Sequence, residues 1–102
     1  AVPLSSVVTT LSAPSVSRLT YDHVAELVTE VLVVPDREAV RGSLALAEHA
    51  KVWTEPAAGC LLPAARRVVE RVGEGARIGL VVCGGNATVT DMAGWADRFG
   101  LR

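Results

Sequence analysis

Two short runs of aliphatic residues constrain the fold of this chain more than any other feature. The first is VLVV, Val31–Val34, closed by Pro35, and the second is RIGLVVC, Arg77–Cys83. Apolar runs of this length, rich in β-branched residues, are typical of strands that are buried on both faces of a parallel sheet. Segments with helical spacing of apolar residues precede, separate and follow them. The pattern therefore predicts an α/β fold, with a parallel sheet covered by helices on both sides.

Helical segments fill most of the remaining chain. The residues predicted to start them are Thr20, Asp36, Pro56 and, for the last helix, Thr88 or Thr90. Pro63 is expected to kink or restart the third helix. Residues 1–19 are predicted to form a loop or extended lead-in, and residues 20–102 to form one α/β portion. Two strands leave both sheet edges open, so we expect partner strands from a longer chain or from another subunit.

Charge and composition exclude several classes of partner. The formal net charge is -1, and aromatic residues make up 4% of the chain. Neither an attractive field for nucleic acid or anionic lipid nor a platform for stacking bases is present. No segment approaches the roughly 18 apolar residues that span a bilayer, and residues 1–17 lack the pattern of a signal peptide. We therefore expect a soluble, cytoplasmic protein without nucleic-acid or membrane partners.

The segment VVCGGN, Val81–Asn86, carries the most informative motif. In open parallel sheets, ligands bind beyond the carboxyl ends of strands, where Cys83 lies, and Gly84 and Gly85 would let a ligand approach the backbone. Adjacent glycines are also typical of a tight turn, and the spacing alone leaves both interpretations open. Cys83 and Cys60 have apolar neighbours in the sequence, which favours free buried thiols over a disulfide.

Other candidate residues carry weaker signals. Glu55 precedes Pro56 in TEPAAGC, where it either lies beside a ligand or simply favours the positive end of a helix dipole. His23 and His49 lack metal-ligand spacing, so no metal site is predicted. Lys51 is the single lysine, and Schiff-base chemistry would need it or a lysine from elsewhere.

Taken in order, these motifs resemble those of one enzyme family. Glu-Pro-Ala-Ala-Gly at Glu55–Gly59, followed by an apolar run ending in Cys-Gly-Gly-Asn at Cys83–Asn86, is similar to the C-terminal third of the pyridoxal-phosphate-dependent serine and threonine dehydratases and serine racemases. Residues Thr20–Pro56 resemble the family's preceding helix, strand, helix and Glu-Pro succession. The resemblance covers nearly the whole chain and implies the tryptophan synthase β-like fold.

The resemblance also implies a cofactor site. In this family the counterpart of Cys83 hydrogen-bonds the pyridine nitrogen of pyridoxal 5′-phosphate. By resemblance, Gly84 and Gly85 leave room for the ring edge and Glu55 lies near the ring. A thiol is a neutral partner, so the ring would be a weaker electron sink than one held by an aspartate, which suits loss of a β-hydroxyl group.

The same resemblance implies what this chain lacks. The family's Schiff-base lysine, glycine-rich phosphate loop and cation ligands lie upstream of the matched region, and Lys51 falls outside the active site. Because the chain also begins at Ala1 rather than at methionine, we expect a piece of a longer enzyme that is inactive by itself. Where many relatives read Thr-x-Ala-Asp-Gly, this chain has Thr-Leu-Ser-Ala-Pro at Thr10–Pro14, which leaves the loop shape and the substrate open.

The predicted function is dehydration and deamination of a small β-hydroxy amino acid, threonine or serine, to a 2-oxo acid and ammonia. The predicted partners are that substrate, the remainder of the enzyme chain and a second copy in a homodimer. Two alternatives stay open. One is racemisation of serine at the same site, and the other is a non-catalytic binding module that lacks the catalytic half.

Overall fold

The structure, a computed structural model, describes residues 5–101, and its regular elements in that range are all helical. The α-helices are α1 (Arg18–Leu27), α2 (Asp36–Ala45), α3 (Pro56–Gly59), α4 (Leu61–Val72) and α5 (Val89–Arg98). A 3-10 turn at Thr9–Leu11 precedes them, and a π-helical turn at Leu46–Ala50 extends α2. Of the predicted lead-in, residues 1–4 lie outside the described range, as does the last residue of the predicted α/β portion.

The predicted α/β fold with a parallel sheet is wrong for residues 5–101. Neither Val31–Val34 nor Arg77–Cys83 forms a strand. Val31 and Val33 are 72% and 79% exposed, and Val81 is 82% exposed. A segment becomes a strand only when a neighbour satisfies its backbone N–H and C=O groups. The two runs pair neither with each other nor with another described segment, because apolar composition favours burial but does not supply a partner.

Two predicted helix starts shift in the structure. Ser17 rather than Thr20 caps α1, since the Ser17 hydroxyl accepts a hydrogen bond from the Thr20 N–H at 3.2 Å. Asp36 is the first residue of α2 and not its cap. Its carboxylate instead accepts from the Ser6 hydroxyl at 2.6 Å and from the Val7 N–H at 2.9 Å. Asp36 therefore ties the lead-in to the start of α2.

The other predicted starts are confirmed. Pro56 is the first residue of α3, where its missing N–H costs no helical hydrogen bond. The third predicted helix does restart, but at Leu61, so that Pro63 lies within the first turn of α4. Thr88 caps α5 through a reciprocal capping box with Asp91.

The core lies where α2 meets α3 and α5. Ala39 and Val40 of α2 are fully buried, and Met92 of α5 is 4% exposed. A Cβ on Gly42 would overlap the backbone carbonyl of Gly59, so α2 and α3 are in direct backbone contact at these two glycines. This close approach holds the start of α3, and with it Glu55, against α2.

The rest of the molecule is flat and open. Its principal extents are 40 × 39 × 20 Å, and its radius of gyration is 14.7 Å, against about 13 Å for a compact chain of this length. The accessible surface is 7382 Å², where a compact monomer of this mass exposes about 5,500 Å². No residue of α1 is buried. In the described range no helix combines the length and the apolar character that crossing a membrane requires.

Candidate functional site

The structure brings Glu55 and Gly84 into contact. The Glu55 N–H donates to the Gly84 carbonyl at 3.0 Å. Gly84 has a φ of 84°, a left-handed conformation that favours glycine, and a Cβ at this position would overlap the Glu55 carboxylate. Two of the four predicted site residues are therefore neighbours, and position 84 favours glycine because of its backbone conformation, whereas the Glu55 side chain could move away from a Cβ.

Gly85 lies against the same segment of chain. A Cβ on Gly85 would be 3.7 Å from the Trp53 carbonyl oxygen, an ordinary contact. The Trp53 indole N–H donates to the Ala87 carbonyl at 2.7 Å. Residues 53–55 thus hold the loop after Cys83 at both of its ends. Trp53 was not among the residues predicted for the site, although an indole next to the Glu-Pro motif carries one donor that needs an acceptor.

The two cysteines lie in different environments. Both thiols are free, as predicted, but the prediction that they are buried is wrong for Cys83. Cys83 is exposed at the start of the glycine loop, whereas Cys60 is half-buried at the end of α3. Burial, with a smaller contribution from the Asp36 carboxylate, raises the pKa of the Cys60 thiol above its ordinary value. Of the two thiols, Cys83 is therefore the one open to a ligand.

The loop that departs from the family pattern also reaches Glu55. Thr10, in the 3-10 turn, donates from its hydroxyl to the second carboxylate oxygen of Glu55 at a long 3.5 Å. The Ser12 hydroxyl donates to the Val8 carbonyl at 2.6 Å, which closes the turn on itself. The Thr-Leu-Ser-Ala-Pro segment therefore adjoins the candidate site.

Lys51 and the histidines do not join this cluster by any described contact. The Lys51 ammonium group donates to the Glu48 carbonyl at 2.6 Å, at the end of the π-helical turn. The His23 imidazole hydrogen-bonds the Leu19 carbonyl at 2.8 Å on the exposed helix α1. Within residues 5–101 there is no group of three side chains that could hold a metal ion.

A large groove lies apart from Glu55 and Cys83. It has a volume of about 790 Å³ and separates α2 from α5, with Leu44 and Met92 among its apolar residues and Arg37 and Arg41 among its polar ones. Neither Glu55 nor Cys83 lines it. Because size alone does not bring reactive groups together, the Glu55–Gly84 cluster is the stronger candidate on chemical grounds.

This cluster offers groups that suit a flat heteroaromatic ring. The Cys83 thiol can exchange a hydrogen bond with a ring nitrogen, and the Glu55 carboxylate can accept from a donor on the ring or on the protein. Gly85 carries no side chain, so the edge of a ring can approach its backbone closely, whereas the side of Gly84 where a Cβ would lie is occupied by the Glu55 carboxylate. The residues present therefore fit a pyridine cofactor.

Comparison with known families agrees with this chemistry. The family model described as pyridoxal-phosphate dependent enzyme matches residues 2–84. The match includes Glu55, Cys83 and Gly84 and stops one residue before Gly85. The chain belongs to the pyridoxal-phosphate-dependent enzyme family, and pyridoxal phosphate is the cofactor of that family. No curated protein and no solved structure matches the chain.

Proposed function

We propose that this chain is part of an ammonia-lyase that converts a small β-hydroxy amino acid, threonine or serine, to a 2-oxo acid and ammonia. The observation that carries the proposal is the hydrogen bond from the Glu55 N–H to the Gly84 carbonyl. It joins the Glu-Pro and Cys-Gly-Gly-Asn motifs, on which the resemblance to dehydratases depends, into one cluster. Membership of the cofactor family supports the same reading.

Cys83 is proposed to hold the pyridine nitrogen. When bound, pyridoxal phosphate withdraws electrons from the α-carbon of an amino acid. A thiol supplies a neutral hydrogen bond to that nitrogen, so the chain adds no charge there, and this favours loss of the hydroxyl group over reactions that need a stronger electron sink. Gly84 and Gly85 are proposed to let the ring edge approach, and Glu55 to bound the ring on one side.

The remaining parts of the reaction are assigned outside this chain. We assign the Schiff-base lysine and the phosphate loop to other residues of the enzyme, because the Lys51 ammonium group is engaged with the Glu48 carbonyl. We also propose that the enzyme is a cytoplasmic homodimer, and the two free thiols suit a reducing compartment. The coding DNA before Ala1 is the first test. An open frame with a lysine segment and a glycine-rich loop is expected, and a frame that starts at Ala1 would favour a non-catalytic module instead.

A matched set of cysteine variants tests the site itself. In the complete enzyme, Cys83→Ala removes the partner of the ring nitrogen, so we expect weaker cofactor binding or lower turnover with L-threonine and L-serine. Cys83→Ser keeps a neutral partner and should retain most activity. Cys60→Ala controls for the loss of a thiol. Full activity of Cys83→Ala would contradict the role of Cys83.

Product analysis decides between the lyase and the racemase. With L-serine, the lyase yields pyruvate and ammonia in equal amounts, and a racemase yields D-serine. A product dominated by D-serine would replace the proposed reaction by racemisation at the same site.

A further inference from the structure

Two polar side chains are buried beside the candidate site. Ser43 of α2 is completely buried, and Thr54 is 2% exposed. The Thr54 hydroxyl donates to the Ser43 oxygen at 3.3 Å, and the Ser43 hydroxyl donates to the Glu55 carbonyl at 2.9 Å. A hydroxyl has one proton to donate. Since Thr54 fills an acceptor position on Ser43, the Ser43 proton is left for Glu55.

The Glu55 carbonyl accepts hydrogen bonds from three donors. It accepts from the Ala58 N–H at 3.0 Å and from the Gly59 N–H at 3.3 Å, as the first carbonyl of α3. Ser43 adds a third donor, from a different helix. Three donors on this carbonyl of a half-buried residue leave its peptide group little freedom to rotate.

The close approach of α2 and α3 makes this contact possible. A Cβ on Gly59 would overlap the Ala39 carbonyl and would lie 2.5 Å from the Ser43 oxygen. Only a glycine at this position therefore lets the Ser43 hydroxyl reach the first turn of α3. Ser43 is thus placed by backbone packing, and not by its own hydrogen bonds alone.

The same segment holds the glycine loop. The Glu55 N–H donates to the Gly84 carbonyl at 3.0 Å, and the Trp53 indole donates to the Ala87 carbonyl at 2.7 Å. The chain of contacts runs from Ser43 through the backbone of Glu55 to the loop that begins at Cys83.

We propose that Ser43 is a positioning residue: its hydroxyl fixes the Glu55 backbone against α2, and Glu55 in turn fixes the loop of Cys83. The part that concerns loop position stands by itself, and the part that concerns the cofactor rests on the proposed function. Ser43 touches no reacting atom in this scheme and acts only through Glu55.

Hydrogen exchange, followed by mass spectrometry on the complete protein, tests the first part. In Ser43→Ala, amides in the peptides covering residues 53–60 and 82–88 should exchange roughly five- to tenfold faster, relative to the peptide of α5, since one part-buried hydrogen bond is lost. Val40→Ala is the matched control. It also weakens a fully buried position of α2 but leaves the Ser43 contacts in place, so it should not change that ratio.

A double variant separates positioning from stability. Ser43→Ala alone leaves the buried Thr54 hydroxyl without its acceptor, whereas Ser43→Ala with Thr54→Val removes both polar groups, which is often nearly neutral for stability. We expect the double variant to regain stability while the Glu55 and loop peptides still exchange fast. Recovery of slow exchange together with stability would overturn the positioning role.

Cofactor titration tests the second part. In the complete enzyme, Ser43→Ala should weaken binding of pyridoxal 5′-phosphate in the same direction as Cys83→Ala, but by less. Faster loop exchange with unchanged cofactor affinity would overturn the link to the cofactor. If Cys83→Ala also has no effect on the cofactor, the proposed function fails, and the exchange ratio alone then decides whether Ser43 positions the loop.

Discussion

The helices α2 and α1 have similar patterns of apolar residues, but only α2 has buried residues. Each helix spans ten residues. α2 buries Ala39, Val40, Gly42 and Ser43, whereas α1 buries none of its residues. Leu27 of α1 is 71% exposed. An amphipathic face is thus not sufficient for burial, because burial also requires a neighbour whose backbone can come close. α2 has that neighbour in α3, through small residues on both helices.

The two regions differ most at the contact between α2 and α3, where Gly42 and Gly59 meet. Gly59→Ala inserts a Cβ into the Ala39 carbonyl and the Ser43 side chain, so we expect a loss of about 3 kcal/mol or more in the free energy of unfolding, measured by urea denaturation. Gly94→Ala is the control, since it lies within α5 with nothing within 4 Å of the added Cβ. That variant should gain about 0.5–1 kcal/mol from helix propensity. Equal changes in the free energy of unfolding for Gly59→Ala and Gly94→Ala would contradict the importance of the glycine contact.

Apolar truncations test the two regions directly. Met92→Ala removes a side chain that is 4% exposed and should cost about 2–5 kcal/mol of unfolding free energy. Leu27→Ala removes a largely exposed side chain of α1, so the free energy of unfolding should change by less than about 0.5 kcal/mol. Both values follow from thermal or urea unfolding of the same preparation. A large cost for Leu27→Ala would reveal that α1 is covered in the protein.

The exposed and the half-buried thiol should also differ in chemical reactivity. The exposed Cys83 should react with iodoacetamide about tenfold faster than the half-buried Cys60 at neutral pH, since access and thiolate content both limit Cys60. Because burial raises the pKa of the Cys60 thiol, its rate should begin to rise only at higher pH than the rate of an ordinary thiol. Peptide mass spectrometry over a pH series measures both rates. Equal alkylation rates would indicate that the Cys60 thiol is as accessible to solvent as the Cys83 thiol.

The raised pKa of the Cys60 thiol makes the free energy of unfolding depend on pH in one direction only. A raised pKa in the folded protein means that the unfolded chain loses the thiol proton first as the pH rises. The thiol therefore leaves stability unchanged below its ordinary pKa and lowers it as the pH rises from there toward the folded value. Cys60→Ala should reduce this alkaline loss in urea titrations.

The smallest effect on stability is expected at the ion pair between Arg71 of α4 and Glu30, in the segment after α1. The Arg71 guanidinium lies 2.6 Å from the Glu30 carboxylate, and their side chains are 53% and 46% exposed. Arg71→Ala should therefore cost about 0–1 kcal/mol of unfolding free energy, and less at high salt. Arg18→Ala, which removes the exposed pair with Asp22 within α1, is the matched control. A cost for Arg71→Ala that salt does not reduce would contradict a solvent-exposed pair.

Local signals in the sequence were enough for several features of this protein. Pro56 at the first position of α3 and the Thr88 cap of α5 follow from groups within one helical turn, so they could be predicted without the rest of the chain. The Glu-Pro and Cys-Gly-Gly-Asn motifs likewise indicated the cofactor family, which the match over residues 2–84 bears out. The roles assigned to Cys83, Gly84, Gly85 and Glu55 remain predictions.

Only the tertiary structure decided which segments find partners. Val31–Val34 and Arg77–Cys83 carry the apolar pattern of strands, yet neither pairs within residues 5–101, because pairing depends on a second segment that composition does not specify. The contact of Glu55 with Gly84, and the support of Glu55 by Ser43, likewise follow from the approach of α2 and α3 at two glycines. Hydrogen bonds between distant residues depend on distances that only packing sets, and this is why the sequence named the candidate residues but not the contacts between them.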